Sequence, residues 1–411
     1  MSWLIPKNEL TPDQIRATEL SPSENRIISG GPGSGKTQIL LHRARYLLDL
    51  CGNKNNYKIM VYTNVLKDYI KSDINLLNLP EDNVLTFDHW CRLFYESYIG
   101  GKIPWNSKAR QPNFSATRSA VYEYIDKNLT KPIYDFILVD EAQDLEEEVF
   151  NLLNKVAQHV TVCFDQKQQI YDTGTIEQDV LDALDIRKKN INLIEAFRVS
   201  QYLIVLASQF LPKGNERDFF LDQRRTAKMA KETPLLYYAE NFDDEKEKLY
   251  EMVRERQLMN DRIAILFPQN RQVFGFAQGL REIGIEVEVP NKQNSKNNAH
   301  RTHDFTSNRP KLMSYHSAKG LTFDSVFLPR LVKRSFSWLS DENVEKLLFM
   351  AITRATKWAY FSTAEDNPLE ILYKLESLEE SGTIKLLRGT EDRRSKSTSS
   401  SKKDGDDLDF L

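Results

Sequence analysis

The chain has 411 residues, of which 40% are hydrophobic, and this length exceeds what one hydrophobic core usually supports, so two domains are expected. The formal net charge of −3 provides no overall attraction to phosphate, so any nucleic acid must be held by local basic or aromatic groups. Three cysteines without paired spacing suit a reducing compartment and argue against a zinc site. No apolar run is long enough to cross a bilayer and no N-terminal signal is recognisable, so we expect a cytoplasmic protein without a membrane partner.

Short apolar runs alternate with helical patterns from about residue 25 to 198, and the same rhythm returns in the second half. This rhythm predicts an α/β fold of two tandem domains, each a parallel sheet covered by helices. The predicted strands span residues 26–29, 58–63, 84–86, 135–140, 160–164, 234–238, 262–267, 285–289, 311–315, 324–328 and 358–362. Helical spacing predicts packing helices at 243–257 and 270–283, the second followed by a terminating Gly284.

The predicted domains are residues 1–198 and 199–389. The segment 92–133 is long enough for a small inserted subdomain, whereas 291–310 is polar and is predicted to be a loop. A disordered tail is expected at 390–411, because its composition is too polar to form a packed core.

A glycine-rich segment follows the first predicted strand and opens a helix, which is the context of a phosphate-binding loop. Its residues are Gly30, Gly31, Pro32, Gly33, Ser34, Gly35, Lys36 and Thr37. Glycines let backbone N–H groups turn toward phosphate oxygens, and the helix N-terminus favours negative charge. The pattern predicts that the loop binds ATP, that Lys36 holds the β- and γ-phosphates, and that Thr37 is a ligand of Mg²⁺.

Two adjacent carboxylates, Asp140 and Glu141, end another predicted strand. The carboxyl ends of parallel strands meet at one sheet edge, so Asp140 is expected to reach the same Mg²⁺ and Glu141 to polarise the attacking water. The simpler alternative is a solvated acidic helix start stabilised by the helix dipole.

Further short motifs follow in a fixed order along the chain. They are Leu10-Thr11-Pro12-Asp13-Gln14, Tyr62-Thr63-Asn64, Thr86-Phe87, Asp165 with Gln168, Ile170 and Tyr171, Phe197-Arg198, His316-Ser317-Ala318-Lys319-Gly320-Leu321, and Ala351-Ile352-Thr353-Arg354-Ala355. Together with the phosphate-binding loop, this series resembles the UvrD/Rep-type superfamily 1 helicases from about Leu10 to Thr363. The resemblance implies two tandem RecA-like P-loop domains.

For the nucleotide, the resemblance implies that Gln14 reads adenine, that Phe197 stacks on it, and that Gly320 belongs to the nucleotide site. It also implies that Gln168 senses the γ-phosphate and that two arginines stabilise the transition state. These are Arg198 and Arg354, and the second arginine implies that hydrolysis requires the two domains to close around ATP. Both arginines could instead be surface salt-bridge partners.

For the nucleic acid, the resemblance implies a grip on a single strand. The residues concerned are Tyr62, Thr63, Asn64, Thr86, Phe87, Tyr171 and His316. The three aromatic residues could instead be core residues. Asp88-His89 and Thr322 depart from the family pattern, and no tryptophan follows Tyr171 as a second base platform.

These observations predict an ATP-dependent translocase or helicase on single-stranded DNA, with RNA possible and 3′-to-5′ motion implied by resemblance alone. The alternative is a nucleic-acid-sensing ATPase subunit that regulates a partner such as a nuclease, without processive unwinding. The small space for accessory subdomains motivates this alternative.

Overall fold

Two six-stranded sheets with helices on their faces form the framework of the chain. The computed structural model describes residues 2–52, 54–165, 175–187, 191–193, 199–225, 232–290, 303–364 and 367–392. The first of two units comprises Met1–Ala196 with Ser295–Thr306, and the second comprises Phe197–Asn294 with Ser307–Leu411. No helix in the described part of the chain is long and apolar enough to span a membrane.

The strands of the first unit form a parallel sheet in the order β3-β2-β6-β7-β1-β8, with a separate two-stranded hairpin, β4-β5. They are β1 (Arg26–Gly30), β2 (Tyr57–Val61), β3 (Val84–Thr86), β4 (Trp105–Asn106), β5 (Gln111–Pro112), β6 (Phe136–Val139), β7 (Val160–Phe164) and β8 (Ile191–Leu193). Its helices are α1 (Pro12–Thr18), α2 (Lys36–Leu50), α3 (Asn64–Asp73), α4 (Phe87–Phe94), α5 (Phe114–Asn128), α6 (Glu147–Val156) and α7 (Glu177–Ala183).

The second unit has a parallel sheet in the order β11-β10-β12-β13-β9-β14. Its strands are β9 (Leu235–Ala239), β10 (Ile263–Phe267), β11 (Lys311–Ser314), β12 (Phe323–Leu328), β13 (Ala355–Ala364) and β14 (Lys385–Arg388). Its helices are α8 (Gln201–Ser208), α9 (Asn215–Asp222), α10 (Phe242–Leu258), α11 (Asn270–Glu282), α12 (Asp341–Ile352) and α13 (Tyr373–Glu376).

The predicted fold class is confirmed, because both sheets are parallel and are covered by helices. Their inner strands are buried along nearly their whole length, as expected for sheets packed on both faces. Both predicted packing helices are present, and Gly284 has the left-handed backbone, with φ of 82°, that ends α11.

One predicted strand is wrong. Residues 285–289 form only an isolated bridge between Glu288 and Lys311. Pro290 follows immediately and has no N–H to continue the ladder, so the alternating apolar pattern does not become a strand. Three strands or strand pairs were not predicted because they are too short or too polar for a periodic signal, namely β8, β14 and the β4-β5 hairpin.

Candidate nucleotide and nucleic-acid sites

The predicted phosphate-binding loop leaves the carboxyl end of β1 and leads directly into α2. Gly33 and Gly35 have φ of 77° and 87°, a left-handed conformation that glycine adopts without strain. A Cβ atom at Gly35 would lie 2.6 Å from Gln14 Nε2, so a side chain here would have to displace the Gln14 amide from its contact with the loop. The loop brings the first turn of α2, whose N–H groups have no intrahelical partner, to the edge where an anion is favoured.

Lys36 is buried, and three oxygen atoms hold its ammonium group. Nζ donates to the carbonyl oxygens of Gly30 and Gly31 at 2.8 and 3.1 Å, and to Asp165 Oδ2 at 3.0 Å. Burial alone lowers the pKa of Lys36, but the charges of Asp165 and the nearby carboxylates raise it above the ordinary lysine value. The lysine is therefore positively charged at neutral pH.

Thr37 and Asp140 meet at the same edge of the sheet, where Thr37 Oγ1 donates to Asp140 Oδ2 at 2.6 Å. Asp140 directly follows β6, and its backbone N–H donates to the carbonyl oxygen of Met60 on β2 at 2.9 Å. Burial and the adjacent Glu141 raise the pKa of Asp140 to about 6. A hydroxyl and a carboxyl group at this distance are the oxygen ligands that Mg²⁺ prefers.

Glu141 has a left-handed backbone, with φ of 53°, which is uncommon for a residue with a side chain. Its carboxylate Oε2 accepts from Gln143 Nε2 at 2.5 Å, and Gln143 Oε1 accepts from the backbone N–H of Asp165 at 3.0 Å. Gln143 thus ties the carboxylate of Glu141 to the end of β7. All three side chains are buried, which limits the orientations of the carboxylate.

Gln14 is a structural neighbour of the phosphate-binding loop. Its Nε2 donates to the carbonyl oxygen of Ser34 at 3.0 Å, and its Oε1 accepts from the backbone N–H of Thr11 at 3.0 Å. Thr11 Oγ1 in turn accepts from the backbone N–H of Gln14 at 3.3 Å, so the two residues form a capping box at the start of α1. In this arrangement the Gln14 side chain braces the loop.

These residues fit a Mg²⁺-bound nucleoside triphosphate. Ser34 Oγ is buried and has no hydrogen-bond partner among the described residues, and it lies within the loop that a phosphate would occupy. No cluster of three or more His, Cys, Asp or Glu side chains able to hold a metal occurs in the described ranges. Mg²⁺ commonly takes one or two protein oxygens and completes its shell with phosphate and water, so Thr37 and Asp140 suffice.

Five of the residues expected to grip a strand, Tyr62 to Asn64 with Thr86 and Phe87, lie where the neighbouring strands β2 and β3 end at this same edge. Thr63 Oγ1 accepts from the backbone N–H of Leu66 at 3.0 Å and caps α3, while Thr86 Oγ1 accepts from that of His89 at 3.3 Å and caps α4. Asn64 is exposed and Tyr62 is half-buried. Two capped helix N-termini therefore stand side by side.

Phe87 does not fit the stacking role expected for it. Its side chain is only 4% exposed and stacks on Trp90 with ring centroids 5.8 Å apart, within the core of the first unit. Phe87 lies on the hydrophobic face of α4, which packs against the core. The neighbouring departure, Asp88, accepts a hydrogen bond from Arg118 Nε at 2.7 Å, so its charge is paired.

In the second unit, His316 and Gly320 lie between β11 and β12, and Gly320 has a φ of 76°. The His316 side chain is exposed. Arg354 is buried between α12 and β13, where Nε donates to the carbonyl oxygen of Met350 at 3.1 Å and Nη1 to that of Leu321 at 3.3 Å. These bonds hold the guanidinium group against the end of α12 and the connection between β11 and β12.

Two family models match the chain. An AAA domain model matches residues 14–174, and a model of the UvrD-like helicase C-terminal domain matches residues 291–366. Together they cover more than half of the chain, and the first contains the complete phosphate-binding loop with Asp140 and Glu141. The chain belongs to the UvrD-like superfamily 1 helicases.

Two proteins provisionally named as DNA helicases are similar to this UvrD-like chain. One, from Mycoplasma pneumoniae, is 22% identical over 261 residues, which are 58% of this chain and 45% of the relative. The other, named as ATP-dependent, is from Acanthamoeba polyphaga mimivirus and is 22% identical over 396 residues, which are 86% of this chain and 53% of the relative. The chain thus spans about half the length of these relatives.

A solved C-terminal domain from Lactobacillus plantarum, provisionally named as part of a DNA helicase, is 14% identical, with a TM-score of 0.34. The matched region covers 46% of the UvrD-like chain and 98% of the solved domain.

Four site residues implied by the family resemblance lie outside the described residues. They are Gln168, Tyr171, Phe197 and Arg198. Their roles in this UvrD-like protein stay predictions.

Sequence reasoning assigned no function to Gln143 or Arg118, although both hold predicted site residues in place. A usable signal for Gln143 was its position two residues after Glu141 at a strand end. No comparable signal existed for Arg118, whose partner Asp88 is 30 positions away in the chain.

Proposed function

We propose that this UvrD-like protein hydrolyses ATP to move along single-stranded nucleic acid, with DNA as the favoured strand and 3′-to-5′ as the direction. The observation that supports the proposal is the convergence of Lys36, Thr37, Asp140 and Glu141 at one edge of the first sheet, with Lys36 and Asp140 both buried. The direction and the preference for DNA rest on the family resemblance.

The chain's own groups divide the work of phosphoryl transfer. Lys36 supplies a permanent positive charge beside the loop, and the first turn of α2 supplies backbone N–H donors for the phosphate oxygens. Mg²⁺, when bound by Thr37 and Asp140, neutralises charge that develops on the phosphates. Glu141, whose carboxylate Gln143 orients, accepts a hydrogen bond from the attacking water and withdraws its proton.

We assign further charge stabilisation of the transition state to Arg198 and Arg354, and the γ-phosphate contact to Gln168. Guanidinium groups suit this role because the transition state spreads negative charge over several oxygens. Tyr62, Thr63, Asn64 and Thr86 contact the strand in this proposal, and capped helix N-termini favour its phosphates. Tyr171 stacks on a base and His316 contacts the strand.

The decisive experiment measures ATP hydrolysis with and without single-stranded DNA, single-stranded RNA and duplex DNA. We expect single-stranded DNA to raise the rate at least several-fold and the Lys36→Ala and Glu141→Gln variants to abolish it. Glu148→Gln is the matched control, because Glu148 is an exposed carboxylate on α6. A rate that no nucleic acid changes, or that survives in both variants, contradicts the proposal.

One observation favours a second candidate, an ATPase subunit that senses nucleic acid and regulates a partner such as a nuclease. The internal segment between α4 and α5 contains only a π-helical turn, Tyr95–Ile99, and the β4-β5 hairpin. Such a segment offers little surface for opening a duplex. A strand-displacement assay separates the candidates: unwinding by the chain alone supports the translocase, and DNA-stimulated hydrolysis without unwinding supports the sensor.

A further inference from the structure

The β4-β5 hairpin is an ordered projection of the first unit. Trp105 pairs with Pro112 and Asn106 with Gln111 in antiparallel register. Asn106 Oδ1 accepts from two backbone N–H groups of the turn at 3.1 Å each, and the backbone N–H of Asn113 donates to the carbonyl oxygen of Pro104 at 2.9 Å. These bonds close both ends of the hairpin and fix the path of its backbone.

The hairpin carries positive charge only. Residues 97–122 contain no Asp or Glu, although acidic residues slightly outnumber basic ones in the whole chain. Lys102, Lys108 and Arg110 are all exposed, and none forms an ion pair with a residue that the structure describes. A local field of this kind attracts a polyanion even though the net charge of the protein is negative.

An aromatic platform stands among these charges. Trp105 is 58% exposed, and residues 105–111 are exposed without interruption. Tyr98 and Phe114, on either side of the hairpin, are also exposed. Exposed aromatic rings interleaved with unpaired cations are the combination that binds single-stranded nucleic acid, because bases stack on the rings while phosphates meet the charges.

The turn contains a residue whose backbone conformation its side chain does not favour. Arg110 has a φ of 51°, a left-handed conformation that costs a non-glycine residue free energy. Glycine would relieve this strain, yet the position carries a guanidinium group. Strain of this kind at an exposed position points to a function for the side chain.

The hairpin leads directly into α5, whose start is paired with helix α4, which begins at the end of β3 beside the predicted strand-binding residues. Asn113 caps α5, and one turn later Arg118 contacts Asp88 at 2.7 Å and Glu146 at 3.7 Å. Asp88 lies in the first turn of α4, directly after β3, and Glu146 follows β6. These ion pairs hold the start of α5 against the first turn of α4 and the N-cap of α6, the helices that follow β3 and β6.

We infer that the β4-β5 hairpin binds single-stranded nucleic acid, with an unpaired base stacked on Trp105 and phosphates held by Lys108 and Arg110. This inference rests on the proposed function insofar as nucleic acid is the ligand. The unbroken positive charge favours nucleic acid over a protein partner. The exposed indole favours an unpaired base over a duplex, whose bases are already stacked.

The test measures binding of a labelled oligothymidylate, and of a blunt duplex, by the full chain across a range of salt concentrations. We expect Trp105→Ala to weaken oligothymidylate binding roughly 5- to 100-fold. The double variant Lys108→Gln/Arg110→Gly removes two charges, so we expect it to lower the salt-dependence slope by about 1.4. Glycine at position 110 suits the positive φ, so this variant keeps its fold.

Two controls match these variants. Trp338→Ala removes a tryptophan that is 51% exposed in the second unit, and Lys127→Gln removes an exposed cation of α5 that pairs with Glu123. Basal ATP hydrolysis without nucleic acid is expected to stay unchanged in all variants, which reports an intact nucleotide site.

The inference is overturned if the hairpin variants bind oligothymidylate as the wild type does, or if they lose binding only to the duplex. The proposed function is unaffected by that outcome as long as single strands still stimulate ATP hydrolysis. Wild-type protein that neither binds oligothymidylate nor responds to it contradicts the proposed function and the inference together.

Discussion

Lys36 Nζ lies 3.0 Å from Asp165 Oδ2, although 129 positions separate the two residues in the chain. Both side chains are buried, and the Asp165 carboxylate is paired with the Lys36 ammonium group that is proposed to bind a nucleotide phosphate. A phosphate entering the loop must compete with Asp165 for Lys36. The proposed nucleotide site therefore contains its own competing anion.

Neutralising this competitor is expected to strengthen nucleotide binding. In Asp165→Asn, we expect the dissociation constant of a non-hydrolysable ATP analogue to fall several-fold, equivalent to about 1 kcal/mol. The free energy of unfolding without nucleotide is expected to fall by about 1–3 kcal/mol, because Lys36 loses a buried counter-ion. Calorimetry and urea unfolding measure the two effects, with exposed Asp13→Asn as the control. Weaker nucleotide binding by the variant contradicts the competition.

Substitution of Gly35 is expected to separate backbone strain from loss of the nucleotide site. Gly35→Ala and Gly52→Ala both place a side chain at positive φ, and each should lower the free energy of unfolding by about 1–2 kcal/mol. Only Gly35 faces Gln14, whereas a Cβ atom at Gly52 meets open space. ATP binding should therefore be lost in Gly35→Ala and kept in Gly52→Ala. Equal ATP affinities in the two variants would show that loop shape is unimportant.

Because of the buried side chain of His159, we expect the free energy of unfolding to fall in mild acid. Its Nε2 lies 3.0 Å from Arg43 Nη2, which can only donate, so the ring is neutral. Burial and the Arg43 charge lower the pKa of His159 from 6.5 to about 3. Below pH 6.5 the unfolded chain takes up a proton that the folded chain does not, so the free energy of unfolding falls as pH falls from 6.5 toward 3.

Protonation of His159 in the unfolded chain is expected to make the free energy of unfolding about 2 kcal/mol lower at pH 5 than at pH 7. His159→Gln keeps an acceptor for Arg43 but does not titrate. Urea unfolding of wild type and variant at pH 7 and pH 5 measures the difference, in which the shared contribution of the carboxylates cancels. Parallel losses in the two proteins would rule out His159 as the source.

Substitution of Glu245 in the second unit is expected to destabilise the protein strongly. It is fully buried and accepts from Arg330 N at 2.8 Å, Arg330 Nη1 at 2.6 Å and Ser362 Oγ at 2.8 Å. Glu245→Gln leaves the Arg330 charge buried without its counter-ion, so we expect a loss of about 3–5 kcal/mol in the free energy of unfolding. Adding Arg330→Met to Glu245→Gln should recover part of this loss. If the losses of the two single variants simply add in the double variant, the Glu245–Arg330 ion pair is not the source of the effect.

The positions of most strands along the chain were predictable because buried parallel strands are continuous apolar runs. The phosphate-binding loop was equally visible, since glycines, lysine and threonine at fixed spacing between a strand and a helix serve one chemistry. The short strands β8 and β14 carry too few residues for a pattern, and Pro290 overrode the alternating pattern at 285–289.

The sequence by itself thus determined the fold class and the residues around the phosphate-binding loop. Tertiary structure decided which distant groups meet there. Asp165 reaches Lys36 because β7 lies beside β1, and Gln143 reaches Asp165 because β6 lies beside β7. The order of the strands in the sheet determines these contacts, whereas the spacing of apolar residues in the sequence indicates only which face of an element is buried. The same limit explains Phe87. The family resemblance implied that its ring contacts a strand, with a core position as the alternative, and the packing of α4 places the ring in the core.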